Sequence, residues 1–234
     1  MEYGKKVICA LDLADREEAW QMTERLKGLV SFYKVGMLLY LAGGSELVQK
    51  CIAQGYRVFL DLKFYDVPDT IAAAVRQAAL MGVSFLTVHG NKEILQRAGE
   101  AAAGTDLKVL GVTVLTSLDG DDIAAMGFPC SLEELVLQRA QWALEAGCAG
   151  VVASPREAAL LREKLGSELL LVTPGIRPAG SDLGTHKRAA TPARALQAGA
   201  DYLVIGQPII RAADPRAAAA AIIEEIAPGQ DTAP

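Results

Sequence analysis

Short runs of β-branched and other apolar residues alternate along the chain with longer stretches rich in Ala, Leu, Glu and Arg at helical spacing, and the alternation repeats eight times. The strand-like runs fall at 7–12, 32–37, 57–62, 85–89, 108–115, 150–153, 169–173 and 202–205. The helical stretches fall at about 15–27, 44–54, 68–81, 91–103, 131–146, 155–164, 192–198 and 214–226. Runs such as V-I-C-A-L (7–11) and Y-L-V-I (202–205) are apolar at successive positions, as required of strands covered on both faces. Gly55, Gly82, Gly147 and Gly199 stand where helices should end. Pro68, Pro155, Pro192 and Pro215 stand where helices should begin, since a first-turn residue needs no N–H.

Strict strand–helix alternation permits either an open doubly wound sheet or a closed barrel. Eight units favour the barrel, and no G-x-G-x-x-G follows the first run, which weakens a dinucleotide-binding reading. The expectation is an α/β fold, one single-domain (β/α)8 TIM barrel over residues 1–227 with a flexible tail at 228–234.

Composition narrows the partners. The 234 residues carry a net charge of −5, with a pI near 5.2, which argues against nucleic acid or an anionic membrane as a partner. A negatively charged ligand must then be held by a local arrangement of donors. No apolar run reaches the roughly 18 residues of a membrane span. The start M-E-Y-G-K-K leads directly into a strand without a secretion-signal core, so the expected location is the cytoplasm. Cys9, Cys51, Cys130 and Cys148 form no C-x-x-C pair and no zinc-like spacing with the histidines. Cys9 and Cys148 lie in apolar runs and are expected to be buried and reduced.

In a closed barrel chemistry collects at the C-terminal ends of the strands. Those positions here are Asp12, Lys34, Asp61 with Lys63, His89, Thr116 with Ser117, and Arg177. A charge on a strand covered on both faces is costly unless it is paired or used. The densest cluster is D-L-K-F-Y-D (61–66). Positions i and i+2 of a strand share a face, so Asp61 and Lys63 point the same way, and Asp66 follows in the loop. Flanking carboxylates favour the ammonium form of Lys63, which suits a general acid and not a Schiff-base nucleophile. The bland alternative is a structural ion pair at the barrel rim. Across the barrel, T-P-G-I-R-P (173–178) and I-G-Q-P (205–208) follow the seventh and eighth strands, where such barrels frequently bind phosphate. For Arg177 the bland alternative is a turn with a surface arginine.

These pieces resemble the bacterial orotidine 5′-phosphate decarboxylase family. The resemblance rests on A-L-D-L (10–13), K-V-G-M (34–37), F-L-D-L-K-F-Y-D-V-P-D-T (59–70), V-H (88–89), T-V-L-T-S (113–117), V-T-P-G-I-R-P (172–178) and A-T-P (190–192). It implies a barrel of the ribulose-phosphate-binding type and a cofactor-free, metal-free enzyme of pyrimidine biosynthesis. It also implies a homodimer whose sites are shared, with orotidine 5′-phosphate as substrate. Carried over by position, Lys63 would deliver a proton to C6 of the pyrimidine, Asp61 would lie beside the departing carboxylate, and Lys34 would tie the network to the ribose. Asp12 would bind ribose hydroxyls, Thr116 the base or its surroundings, and Arg177 the phosphate. Asp66 and Thr70 would reach into the neighbouring subunit's site.

Two positions depart from the family pattern. His186 stands where a glutamine is expected nine residues after Arg177, and Gln207, after Gly206, stands where an arginine is expected. The second change removes a charged phosphate donor, worth roughly 1.5–3 kcal/mol. Gln207 can still donate a neutral hydrogen bond, and His186, Lys187 or Arg188 could supply charge. Two other readings share parts of the pattern. One is a metal-dependent hexulose-phosphate synthase-like aldolase, which shares D-x-K-x-x-D, and the other a catalytically silent nucleotide-binding relative.

Overall fold

The computed structural model describes residues 3–178 and 188–227. The eight apolar runs form eight parallel strands: β1 (Val7–Ala10), β2 (Phe32–Gly36), β3 (Arg57–Phe64), β4 (Phe85–His89), β5 (Lys108–Val112), β6 (Gly150–Val152), β7 (Leu170–Thr173) and β8 (Tyr202–Ile205). They pair in sequence order, and β8 closes onto β1 with Ile8 opposite Val204. Eight principal helices follow them: α1 (Arg16–Arg25), α2 (Ser45–Ala53), α3 (Pro68–Met81), α4 (Lys92–Ala102), α5 (Leu132–Glu145), α6 (Ala158–Leu165), α7 (Pro192–Gln197) and α8 (Pro215–Glu225). Among the described residues no helix is long and apolar enough to cross a membrane.

The two-residue pleat divides each strand between two cores. Val7, Cys9 and Leu11 pack outward against the helices, while Ile8 and Ala10 face the barrel interior. The interior is filled in layers from alternate strands. Phe32 and Tyr202 begin even strands and meet Phe85 edge-on, with ring centroids 4.9 Å apart for Phe32–Phe85 and 5.3 Å for Phe85–Tyr202. The Arg57 guanidinium lies 4.0 Å from the Phe32 ring centre and covers that end. Ile8, Phe59, Leu110 and Val172 of the odd strands add to the same apolar cluster. Two positions further along β2, β4 and β3, the same inward face carries Lys34, Thr87 and Asp61. The pleat that buries Phe32, Phe85 and Phe59 therefore delivers those polar groups to the C-terminal mouth.

Several boundaries differ from the sequence reading. β3 continues to Phe64, and the four steps from Leu60 to Phe64 span what two steps cover from Leu86 to Val88 on β4. β5 stops at Val112, not 115, and the chain turns into a short helix, Gly120–Ala125, capped by Asp119. A helical turn at Met37–Leu39 and a π-type turn at Tyr40–Gly44 precede α2. Pro155 lies in a turn ahead of α6, whereas Pro68, Pro192 and Pro215 do open helices. The four expected helix-ending glycines all have positive φ, between 69° at Gly147 and 104° at Gly199.

Burial pushes the Cys9 and Cys148 thiols up to about 12 and the Cys51 thiol to about 11, so these side chains behave as small protonated hydrophobes. All four cysteines are free, and Cys130 alone among them is only partly buried.

Candidate active site

At the C-terminal mouth lies a cavity of about 360 Å³. Asp12, Lys34, Asp61, Lys63, Thr116, Arg177, Gly206 and Gln207 all line it, together with Ser117. Eight of the eleven residues that the family pattern places at the site are thus brought together. Asp66 and Thr70 are exposed and do not line it. His186 lies outside the described residues. His89 ends β4 beside the site but stacks edge-on with Tyr65, with ring centroids 5.0 Å apart. Burial, Arg139 and Lys63 all lower its affinity for a proton.

Asp12, just after β1, forms an alternating chain of charge with Lys34 on β2 and Asp61 and Lys63 on β3. The Lys34 ammonium donates to Asp12 Oδ1 at 2.9 Å and lies 3.5 Å from Asp61 Oδ2. The Lys63 ammonium lies 2.9 Å from both Asp61 oxygens. Burial alone would raise the Asp61 carboxyl, but the Lys34 and Lys63 charges, with donors from Lys63 and Thr87, hold it below the usual carboxylate range. Burial would lower the Lys34 ammonium, but Asp61 and Asp12 hold it above its ordinary value. Side-chain exposure rises from 10 % at Lys34 to 29 % at Lys63, so Lys63 presents the more accessible ammonium to a ligand.

Lys63 reaches this position through backbone geometry as well as the pleat. It is the only non-glycine among the described residues with positive φ, 49°. A left-handed conformation costs an ordinary residue on the order of 1–2 kcal/mol. The conformation is held from both ends: the Lys63 N–H donates to Thr87 Oγ1 at 3.0 Å, and its ammonium is clamped to Asp61. The Thr87 hydroxyl in turn donates to Asp61 Oδ1 at 2.9 Å. Thr87 was not singled out in the sequence. Its signal was a polar position on the inward face of F-L-T-V-H, masked because threonine is also a good strand former.

Arg177 is buried, which overturns the surface-turn alternative, and its N–H donates to the Ala190 carbonyl at 2.9 Å. Gln207 is exposed at the start of a four-residue helix, Gln207–Ile210, after Gly206. A β-carbon on Gly206 would lie 3.3 Å from both Asp12 Oδ2 and the Ala10 side chain, so glycine leaves room for the Asp12 carboxylate. Arg188 does not supply the free charge considered for it. It is buried and its guanidinium is 2.7 Å from Glu157 Oε1, so its charge is already matched. Among the described residues no group of three or more His, Cys, Asp or Glu side chains converges as a metal site. Around Asp61 stand two ammoniums.

A protein from Nitrobacter winogradskyi named orotidine 5′-phosphate decarboxylase is 52 % identical over 223 residues, covering 95 % of this chain and 93 % of the relative. One of the same name from Ruegeria pomeroyi is 47 % identical, covering 98 % of this chain and 97 % of its own. The crystal structure of orotidine 5′-phosphate decarboxylase from Lactobacillus acidophilus superposes with a TM-score of 0.83 at 36 % identity, covering 95 % of this chain and 99 % of the other. Residues 5–222 match the Orotidine 5′-phosphate decarboxylase / HUMPS family, and the chain belongs to that family.

Proposed function

We propose that this chain decarboxylates orotidine 5′-phosphate to uridine 5′-phosphate, with Lys63 as the proton donor to C6. The observation that carries the reading is the Lys63 ammonium, 2.9 Å from both oxygens of a largely buried Asp61 and facing the cavity that Arg177 also lines. In the reaction the bond between C6 and the carboxylate breaks, carbon dioxide leaves, and the electron pair remains on C6. A fixed ammonium beside that carbon stabilises the developing charge and then transfers a proton to it. The resulting amine regains its proton from solvent. Asp61 and Lys34 hold Lys63 in place, so the site needs no reorganisation at the moment of reaction.

In this reading Asp12 accepts hydrogen bonds from ribose hydroxyls and Thr116 contacts the base, and both line the cavity. Arg177, Gly206 and Gln207 form the proposed phosphate end, with His186 as a further candidate. Binding the remote phosphate holds the pyrimidine against Lys63. The enzyme would act as a homodimer. Asp66 and Thr70 are exposed beside Tyr65 and Val67, large apolar side chains 67 % and 63 % exposed at the rim, as expected of residues that serve a partner's site. Four unpaired cysteines suit a reducing compartment such as the cytoplasm.

The test is product analysis in heavy water: purified protein given orotidine 5′-phosphate should yield uridine 5′-phosphate carrying one deuteron at C6. Turnover should survive excess chelator. Release of formaldehyde from a hexulose 6-phosphate under divalent metal would favour the hexulose-phosphate reading, and binding of uridine 5′-phosphate without turnover would favour the silent one.

A further inference from the structure

Arg188 and Glu157 form a buried ion pair that the proposed chemistry does not use. Their side chains are 7 % and 5 % exposed. Each end of the pair is tied to a different part of the mouth. One guanidinium nitrogen of Arg188 donates to Glu157 Oε1 at 2.7 Å, and the other donates to the Leu115 carbonyl at 2.9 Å and the Val114 carbonyl at 3.3 Å. The second Glu157 oxygen accepts the Ser154 N–H at 3.0 Å, and the Ser154 hydroxyl donates back to the Arg188 carbonyl at 3.0 Å. Two residues on, Ala190 pairs with Ile176: its carbonyl accepts the Arg177 N–H at 2.9 Å, and its N–H donates to Gly175 at 3.3 Å.

One side chain therefore links three separate pieces of chain. On one side stand Leu115, Thr116 and Ser117, and on the other Gly175 and Arg177, all lining the cavity, while Arg188 itself does not. We infer that the buried Arg188–Glu157 pair is a positioning brace that sets the spacing between the Leu115–Ser117 wall and the Gly175–Arg177 wall. The inference rests on the nucleotide reading of the cavity, in which one wall meets the base and the other the phosphate. A ligand with two handles is sensitive to that spacing, whereas each handle alone is not. The guanidinium fork is suited to this task, because it bonds a carboxylate and backbone carbonyls at fixed angles. Among the described residues its Nε is the one buried side-chain donor without a partner, so a direct phosphate contact through Nε is the competing role.

The test uses the double variant Arg188→Met/Glu157→Gln, which removes both charges and avoids leaving one buried alone. Binding of uridine 5′-phosphate, uridine and inorganic phosphate is measured separately. The brace predicts that the dissociation constant for uridine 5′-phosphate rises about tenfold or more while those for uridine and phosphate each change less than about threefold. Glu157→Gln alone should weaken uridine 5′-phosphate in the same way. Unchanged nucleotide binding overturns the brace. So does a parallel loss of phosphate binding, which would make Arg188 a phosphate donor. Amide exchange in the unliganded protein gives an independent readout: residues 113–118 and 175–177 should exchange faster in the double variant, and unchanged exchange contradicts the proposal. A wild-type protein that binds no uridine 5′-phosphate defeats the functional reading instead, and the exchange result still decides the brace.

Discussion

Lys63 and its neighbours divide stability from chemistry. Replacing Lys63 with alanine removes the proton donor but leaves the Asp61–Lys34 pair, so turnover should fall by roughly 10²–10⁴ or more with little change in melting temperature. Asp61→Asn should lower stability as well as turnover, because it loosens Lys63 and leaves Lys34 buried with only Asp12 beside it; breaking such a pair costs on the order of 3 kcal/mol, readable by denaturant unfolding. The pair also sets a pH window. The depressed Asp61 carboxyl contributes stability above its ordinary value near 4 that is lost as pH falls through its lower folded value. The raised Lys34 ammonium contributes stability below its ordinary value near 10.4 that is lost as pH climbs through its higher folded value. Melting temperatures of wild type and Asp61→Asn should therefore converge only at these extremes. At the phosphate end, Gln207→Arg should lower KM by roughly tenfold, since a charged donor replaces a neutral one; an unchanged KM would mean that other groups already compensate.

At the scale of the element, β3 carries the site. Its sequence gave away the pairing of Asp61 and Lys63, because the two-residue period of an apolar strand makes inward charges conspicuous. It did not give away the strand's length or the left-handed turn at Lys63, since both depend on the register with β4 and on Thr87. Thr87→Val keeps the strand former and deletes the hydroxyl that accepts from Lys63 and donates to Asp61. It should cost about 1–3 kcal/mol of stability and lower kcat more than it raises KM, checked by steady-state kinetics. Arg188 was equally illegible. In T-H-K-R it reads only as a charge available to the phosphate end, and only the fold brings Glu157 and the Leu115 carbonyl to it.

For the whole molecule, the eightfold strand–helix rhythm was enough to specify the closed barrel, and the rule that chemistry gathers at strand ends placed eight site residues in one cavity. The rhythm carries no information on where a second subunit docks. Asp66 and Thr70, exposed and outside the cavity, give the assembly its test. Two copies of the 24.7 kDa chain should sediment together. Mixing inactive Lys63→Ala and Asp66→Ala proteins should restore roughly a quarter of wild-type activity, because half the dimers are mixed and each then holds one intact site. No recovery after subunit exchange would contradict shared sites.

Whether this cavity removes the carboxylate of orotidine 5′-phosphate with Lys63 as the acid is read from the ultraviolet absorbance of purified protein with that substrate. Wild type should show a steady loss of the substrate's absorbance and Lys63→Ala essentially none. An unchanging spectrum with wild-type protein at millimolar substrate, or equal rates for the two proteins, would contradict it.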